Sequence, residues 1–190
     1  ISARGGSAFS GKNIVAGCIL DKDKKKLMDK ADEIWHPDEY FDLTPIYSNN
    51  IRANIPIMTG CDNFCTYCIV PLARGREISR TVLDIVSDVK KAIANEAKEI
   101  WLLGQTVNSY KNGSVKFHNL LHIVNDIAGD FWIRFTSPHP KDFSDELIKA
   151  MAECEKFAHY INLPVQSGNN IILKRMGRPY TVGHYKNLVK

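Results

Sequence analysis

Three cysteines crowd one short stretch, Gly60-Cys61-Asp62-Asn63-Phe64-Cys65-Thr66-Tyr67-Cys68, in the spacing CxxxCxxC. Three thiolates on one tight loop can each hold one iron of a cubane cluster while the fourth iron stays open. An open iron can be chelated by a substrate or cofactor, which a fully ligated ferredoxin-type cluster cannot offer. Tyr67, just ahead of the last cysteine, suits stacking on an adenine ring. Two plainer uses of the loop compete with this one. A structural zinc site wants four ligands, and His118, His122 or His139 would have to fold back to supply the fourth. An electron-transfer cluster usually shows a fourth cysteine nearby. Cys154 stands alone on a partly apolar, helical stretch and reads as a buried side chain.

Composition narrows the setting. The chain holds five cysteines, an odd number, three of them within eight residues, which is no sensible bridging pattern. That usage implies a reducing compartment and a cytoplasmic protein. Lys and Arg number 25 against 21 Asp and Glu, a net charge of +4 that permits a nucleic-acid partner without demanding one. No run approaches the ~18 apolar residues of a membrane span, and no signal peptide opens the chain. It begins at Ile1 rather than Met, so a piece of a longer protein is expected.

Around the cysteines the sequence alternates between two periods. Residues 13–20 read as a short buried strand, 21–34 as a lysine-rich amphipathic helix, and 35–54 as a linker marked by prolines and Asn49-Asn50. Residues 55–60 then form a strand that runs straight into the cysteine loop. Helical spacing covers 80–97, 120–128, 144–154 and 169–176, and strands are expected at 99–104, 131–136 and 159–164. Strand and helix in that rhythm predict an α/β fold with a parallel βα array. Four units are too few to close a barrel, so a partial, open (β/α) barrel is expected over residues 46–190. Residues 1–45 would be the end of a small α/β domain before it.

Functional residues of such folds gather where strands end. The cysteine loop follows the first strand of this set, and Gly104-Gln105 the second. Ser137-Pro138-His139-Pro140 follows the third, and Pro164-Val165-Gln166-Ser167-Gly168 the fourth. All four loops would face one rim and one shared site.

The longer strings around these loops resemble a known family. CxxxCxxC with Tyr67 matches the radical S-adenosylmethionine superfamily. The string Gly60-Cys-Asp-Asn-Phe-Cys-Thr-Tyr-Cys-Ile-Val-Pro71, with residues 73–80 after it, is similar to the methylthiotransferase branch. The strings at 102–110, 134–141 and 163–170 resemble the subgroup of tRNA enzymes, the MiaB type, that makes 2-methylthio-isopentenyladenosine beside the anticodon. The resemblance covers about residues 56–190. Leu72 stands where an aromatic is common, Thr81 where proline usually follows, and Thr106 where asparagine is usual. None of the three is expected to touch a cluster ligand.

The resemblance implies a [4Fe–4S] cluster on Cys61, Cys65 and Cys68 that binds S-adenosylmethionine at its open iron. Reductive cleavage would release a 5′-deoxyadenosyl radical that takes hydrogen from the adenine of the modified nucleoside. Gly17-Cys18 resembles the last ligand pair of the family's auxiliary cluster, so Cys18 would serve that second [4Fe–4S] cluster in an intact protein. Its two partner cysteines, the remaining barrel strands and the RNA-binding TRAM domain are absent from this sequence, and the piece is expected to be inactive alone. Tyr67, Gly104, Gln105, Ser137 and Gln166 are candidate contacts for S-adenosylmethionine. Arg74, Arg76, Arg80, Lys174 and Arg175 are candidates for tRNA phosphates. A monomer served by an electron donor such as flavodoxin or ferredoxin is expected. Other readings are a methylthiotransferase acting on threonylcarbamoyl-adenosine or a ribosomal protein, or a metal-stabilised RNA-binding module without catalysis.

Overall fold

A computed structural model of the chain describes residues 51–190 together with Phe41. The strand expected at 13–20, the helix at 21–34, most of the linker and Cys18 lie outside the described residues.

Strand β1, Arg52–Pro56, begins three residues earlier than the sequence pattern suggested, inside the expected linker. Its alternation decides the matter: Ala53 and Ile55 are buried while Arg52 and Asn54 face out. β1 pairs in parallel with β4, Glu99–Leu103, and β4 with β7, Trp132–Phe135. Between them lie β2 (Met58–Thr59), the short helix α1 (Val70–Arg74), β3 (Ile78–Ser79) and α2 (Val82–Ala94). After β4 come the hairpin β5 (Lys111–Asn112) and β6 (Val115–Lys116), then α3 (Phe117–Asn125). Beyond β7 follow α4 (Asp145–Glu153), α5 (Asn170–Arg175) and α6 (Val182–Leu188).

Side chains cap most of these helices. Thr81, Ser144, Asn169 and Thr181 accept the orphan N–H groups that open α2, α4, α5 and α6. One face of the sheet carries Ile55, Ile100, Leu102, Ile133 and Phe135, all nearly inaccessible to water. Ile85, Val89 and Ala92 of α2 and Leu120, Leu121 and Val124 of α3 belong to the same core. Each fully buried aliphatic chain contributes on the order of 2 kcal/mol.

The expected α/β class and open parallel sheet hold, with one strand fewer. No strand forms over residues 159–164. The chain makes a single parallel bridge, Phe157 to Ile133, with N–H groups exchanged through Lys156 and Ala158. It then turns, because Tyr160 donates its N–H to the carbonyl of Ala158, a three-residue turn that ends the extended course. Among the described residues no helix is long and apolar enough to cross a membrane.

Candidate active site

The cysteine loop leaves β2 through Gly60, whose φ of +75° is one that favours glycine. A Cβ there would lie 1.8 Å from the carbonyl oxygen of Arg76, so the β2–β3 ribbon closes only over a bare backbone. Cys61 donates its N–H to Gly75 at 3.2 Å, and Cys68 donates to Cys65 at 3.0 Å. The loop then enters α1, whose first turn contains Pro71. Cys61 and Cys65 are buried and Cys68 is half-buried.

Three other loops close on this one. From the end of β4, the hydroxyl of Thr106 lies 3.4 Å from Cys61 Sγ and accepts the side-chain amide of Asn63 at 3.3 Å. From beyond β7, Lys141 Nζ donates to Asn63 Oδ1 at 2.6 Å. From beyond α5, Arg178 donates to Cys65 Sγ at 3.4 Å, and Thr66 donates its N–H to Met176 at 3.0 Å. Gly177 packs so close that a Cβ would meet the Phe64 carbonyl oxygen at 2.8 Å. The loops are also tied to one another. Asn108 and the backbone of His139 exchange two bonds of 2.8 Å, His139 stacks edge-on to Tyr180, and Tyr180 donates to the Val165 carbonyl at 2.8 Å. Three of the four loops read as a shared rim therefore meet beyond strand ends, and the fourth, 164–168, follows no strand and joins them through Tyr180.

Electrostatics follow from this burial. Desolvation pushes the Cys61 thiol up, opposed by hydrogen bonds from Thr106 and Asn63. Burial likewise raises Glu77, which accepts from Ser109 Oγ at 2.8 Å. His139 is pushed down to about 3 by burial, then by the nearby charges of Arg178 and Lys141. It is a neutral imidazole at any ordinary pH, with Nδ1 accepting the N–H of Lys141.

Donors aimed at sulfur are what an anionic thiolate requires, so the loop fits a [4Fe–4S] cluster. Among the described residues no three His, Cys, Asp or Glu side chains are grouped to hold a single metal ion. A cubane does not need that grouping, because each thiolate holds a separate iron. Of the histidines considered for zinc, His122 sits 3.6 Å from Cys154 and 3.8 Å from Glu153.

The other expected residues divide. Tyr67, within the loop, is 54% exposed. Gln105 holds a buried Oε1 without a hydrogen bond. Ser137 and Gln166 are exposed and take φ of +57° and +64°, two of the three non-glycine residues with positive φ among the described residues. Such backbone costs on the order of 1–3 kcal/mol and concentrates at functional sites. Gly104 has a packing reason: a Cβ would meet Met58 Cγ at 2.5 Å. Lys174 and Arg175 are exposed at the end of α5, Arg74 is half-buried, and Arg76 pairs with Asp62 at 3.0 Å. Arg80 is a correction. Its guanidinium is buried, bonded to Asp88 at 2.8 Å and to the Pro56 carbonyl at 2.9 Å, so it ties α2 to β1 instead of facing RNA.

Three residues at the site were missed by sequence reasoning, Asn63, Thr106 and Lys141, whereas Arg178, a basic residue flanking the last loop like Lys174 and Arg175, is buried against Cys65. Thr106 is also a correction, since a departure expected to touch no ligand contacts Cys61 directly. Its place at a strand end, two residues past Gly104, was the available signal.

The Radical SAM superfamily pattern matches residues 55–190, which include the whole cysteine loop. A tRNA-2-methylthio-N(6)-dimethylallyladenosine synthase of Clostridioides difficile (strain 630) is 48% identical over 143 residues, 74% of this chain and 30% of that protein. A protein of the same name from Syntrophomonas wolfei is 50% identical, over 74% of this chain and 32% of its own length. The chain thus spans about a third of the length of these relatives. Among solved structures, the radical S-adenosylmethionine methyltransferase TsrM from Kitasatospora setae superposes with a TM-score of 0.60 at 18% identity. That match covers 72% of this chain and 27% of TsrM, a likeness of fold alone. With the pattern, the strand-end rim and the three-thiol loop in agreement, the chain belongs to the radical SAM superfamily.

Proposed function

We propose that this chain is the cluster-bearing core of a tRNA methylthiotransferase that adds a methylthio group to the adenine ring of dimethylallyladenosine, the isopentenyl nucleoside beside the anticodon. The observation that carries the reading is the three-thiol loop, seated where four loops meet, with donors aimed at two of its sulfurs. Relatives of about half identity that are named for this activity support the choice of substrate.

Cys61, Cys65 and Cys68 would hold the [4Fe–4S] cluster. When bound, that group supplies the single electron that cleaves the sulfonium of S-adenosylmethionine. The remaining work falls to the chain. Tyr67 offers a ring to the adenine, and Gln105 an unused amide oxygen to the methionine ammonium. Ser137 and Gln166, held in strained backbone, present hydroxyl and amide groups to ribose or carboxylate. Gly104 keeps the backbone low beside Met58. Lys174 and Arg175, with Arg74 and Arg76 across the loop, supply positive charge for tRNA phosphates. Residues 1–45 belong to the preceding domain, where Cys18 would serve the auxiliary cluster, and residues 46–190 to the radical core. The protein acts as a cytoplasmic monomer and takes its electrons from a flavodoxin or ferredoxin.

Anaerobic reconstitution tests the core of this reading. The chain should take up about four irons with sulfide, and Cys61→Ala, Cys65→Ala or Cys68→Ala should take up none. A chain that binds zinc and no iron would sink it. Nucleoside analysis of tRNA from a strain lacking the gene tests the substrate. Unmodified dimethylallyladenosine should accumulate, whereas loss of the methylthio group from threonylcarbamoyl-adenosine would reassign it.

A further inference from the structure

Hydrogen-bond directions around Cys61 can be assigned from one fixed end. Lys141 carries an ammonium, which only donates, so the Asn63 atom 2.6 Å away must be the carbonyl oxygen Oδ1. That fixes the amide, and Nδ2 therefore donates to Thr106 Oγ1 at 3.3 Å. With its oxygen accepting, Thr106 has one hydrogen to place. The side chain is 2% exposed, so water does not compete, and Cys61 Sγ lies 3.4 Å away. The backbone N–H of Asn63 adds a second donor to the same sulfur at 3.4 Å. Three loops thus build one polarised chain, Lys141 to Asn63 to Thr106 to Cys61. Lys141 also lies 3.5 Å from Asp142, which tempers but does not cancel its charge.

We infer that Thr106 is a positioning residue that sets the reduction potential of the cluster on Cys61, with Lys141 acting on it through Asn63. The inference rests on the reading of Cys61 as a cluster ligand. Its physical basis is that one-electron reduction adds negative charge, part of which falls on the thiolate sulfurs. Donors to sulfur stabilise the more negative state and raise the potential. A chain of bonds that begins at a cation polarises its last O–H further.

The test is an anaerobic redox titration of the reconstituted full chain, followed by the electron paramagnetic resonance of the reduced cluster. Thr106→Val keeps the shape and removes the hydroxyl. Its reduced-to-oxidised ratio at the wild-type midpoint should fall about tenfold, a shift of ~59 mV for one electron. Thr106→Ser restores the hydroxyl and should return the midpoint most of the way. Lys141→Gln should shift it in the same direction by roughly threefold in that ratio. A loaded Thr106→Val chain with the wild-type midpoint would overturn the inference, as would a Ser variant as low as the Val one. Should the Val variant fail to load, an unchanged midpoint in Lys141→Gln overturns it equally. A wild-type chain that takes up no iron would instead overturn the functional reading beneath it.

Discussion

The face of the sheet under the helices and the loops beyond its strand ends are built on opposite terms. Under the helices, most buried polar atoms are paired, Arg80 Nε being an exception. Arg80 bonds Asp88 and the Pro56 carbonyl, and Tyr110 gives its hydroxyl proton to the Arg80 carbonyl at 2.8 Å, with burial holding that phenol at about 12. At the rim, Thr59 Oγ1, Gln105 Oε1 and His139 Nε2 are buried with no hydrogen-bond partner, and Ser137 and Gln166 occupy left-handed backbone. Folding alone would select against those features, each of which costs free energy. Four of the six buried side-chain atoms that lack a hydrogen bond among the described residues, Asp142 Oδ2 included, and two of the three non-glycine residues with positive φ lie at this rim, a bias that marks it as the part of the molecule shaped less for stability than for a ligand.

That contrast can be broken by substitution. The largest effect is expected on the satisfied side: Arg80→Ala leaves Asp88 buried with only the exposed Lys91 beside it, 3.5 Å away. The loss should be about 3–5 kcal/mol in urea unfolding, and a change below 1 kcal/mol would return Arg80 to the surface.

An intermediate effect is expected at His139. Its folded value of about 3 lies below the ordinary one, so between roughly pH 6.5 and 3 the unfolded chain binds a proton that the folded chain refuses. Stability contributed by this group is whole above that window and declines as pH falls through it, by up to roughly 1.4 kcal/mol per pH unit. His139→Asn should flatten the slope of unfolding free energy over those pH values. An unaltered slope would show that the imidazole is not held neutral.

The smallest effect carries the sharpest contrast. Gln105→Met removes an unpartnered acceptor and should raise stability by about 1 kcal/mol, while weakening S-adenosylmethionine binding several-fold in calorimetry. A variant less stable than the parent, or one with full affinity, would erase the distinction between rim and core at that position.

Much of this was legible in the chain itself. CxxxCxxC pointed to the candidate ligands because thiolate chemistry depends on residue type and local spacing, both of which are printed in sequence. The helices at 82–94, 117–125 and 145–153 were legible because apolar residues recur at the period of a turn, and their strands because apolar runs sit between them. β1 started early and residues 159–164 failed to pair because strand pairing is settled by a distant partner. Arg52 and Asn54 look like linker until Glu99 and Trp101 stand beside them.

The sequence by itself therefore determined the chemistry the loop can do and the order of the elements that carry it. Only the tertiary structure decided which side chains surround the sulfurs. Thr106 lies 45 residues from Cys61, and Arg178 lies 113 from Cys65. Hydrogen bonds act over about 3 Å, so their partners are chosen by how the strands lie together and not by distance along the chain. The same reason placed Arg80 against the Pro56 carbonyl, 24 residues away, where local charge had suggested a surface for RNA.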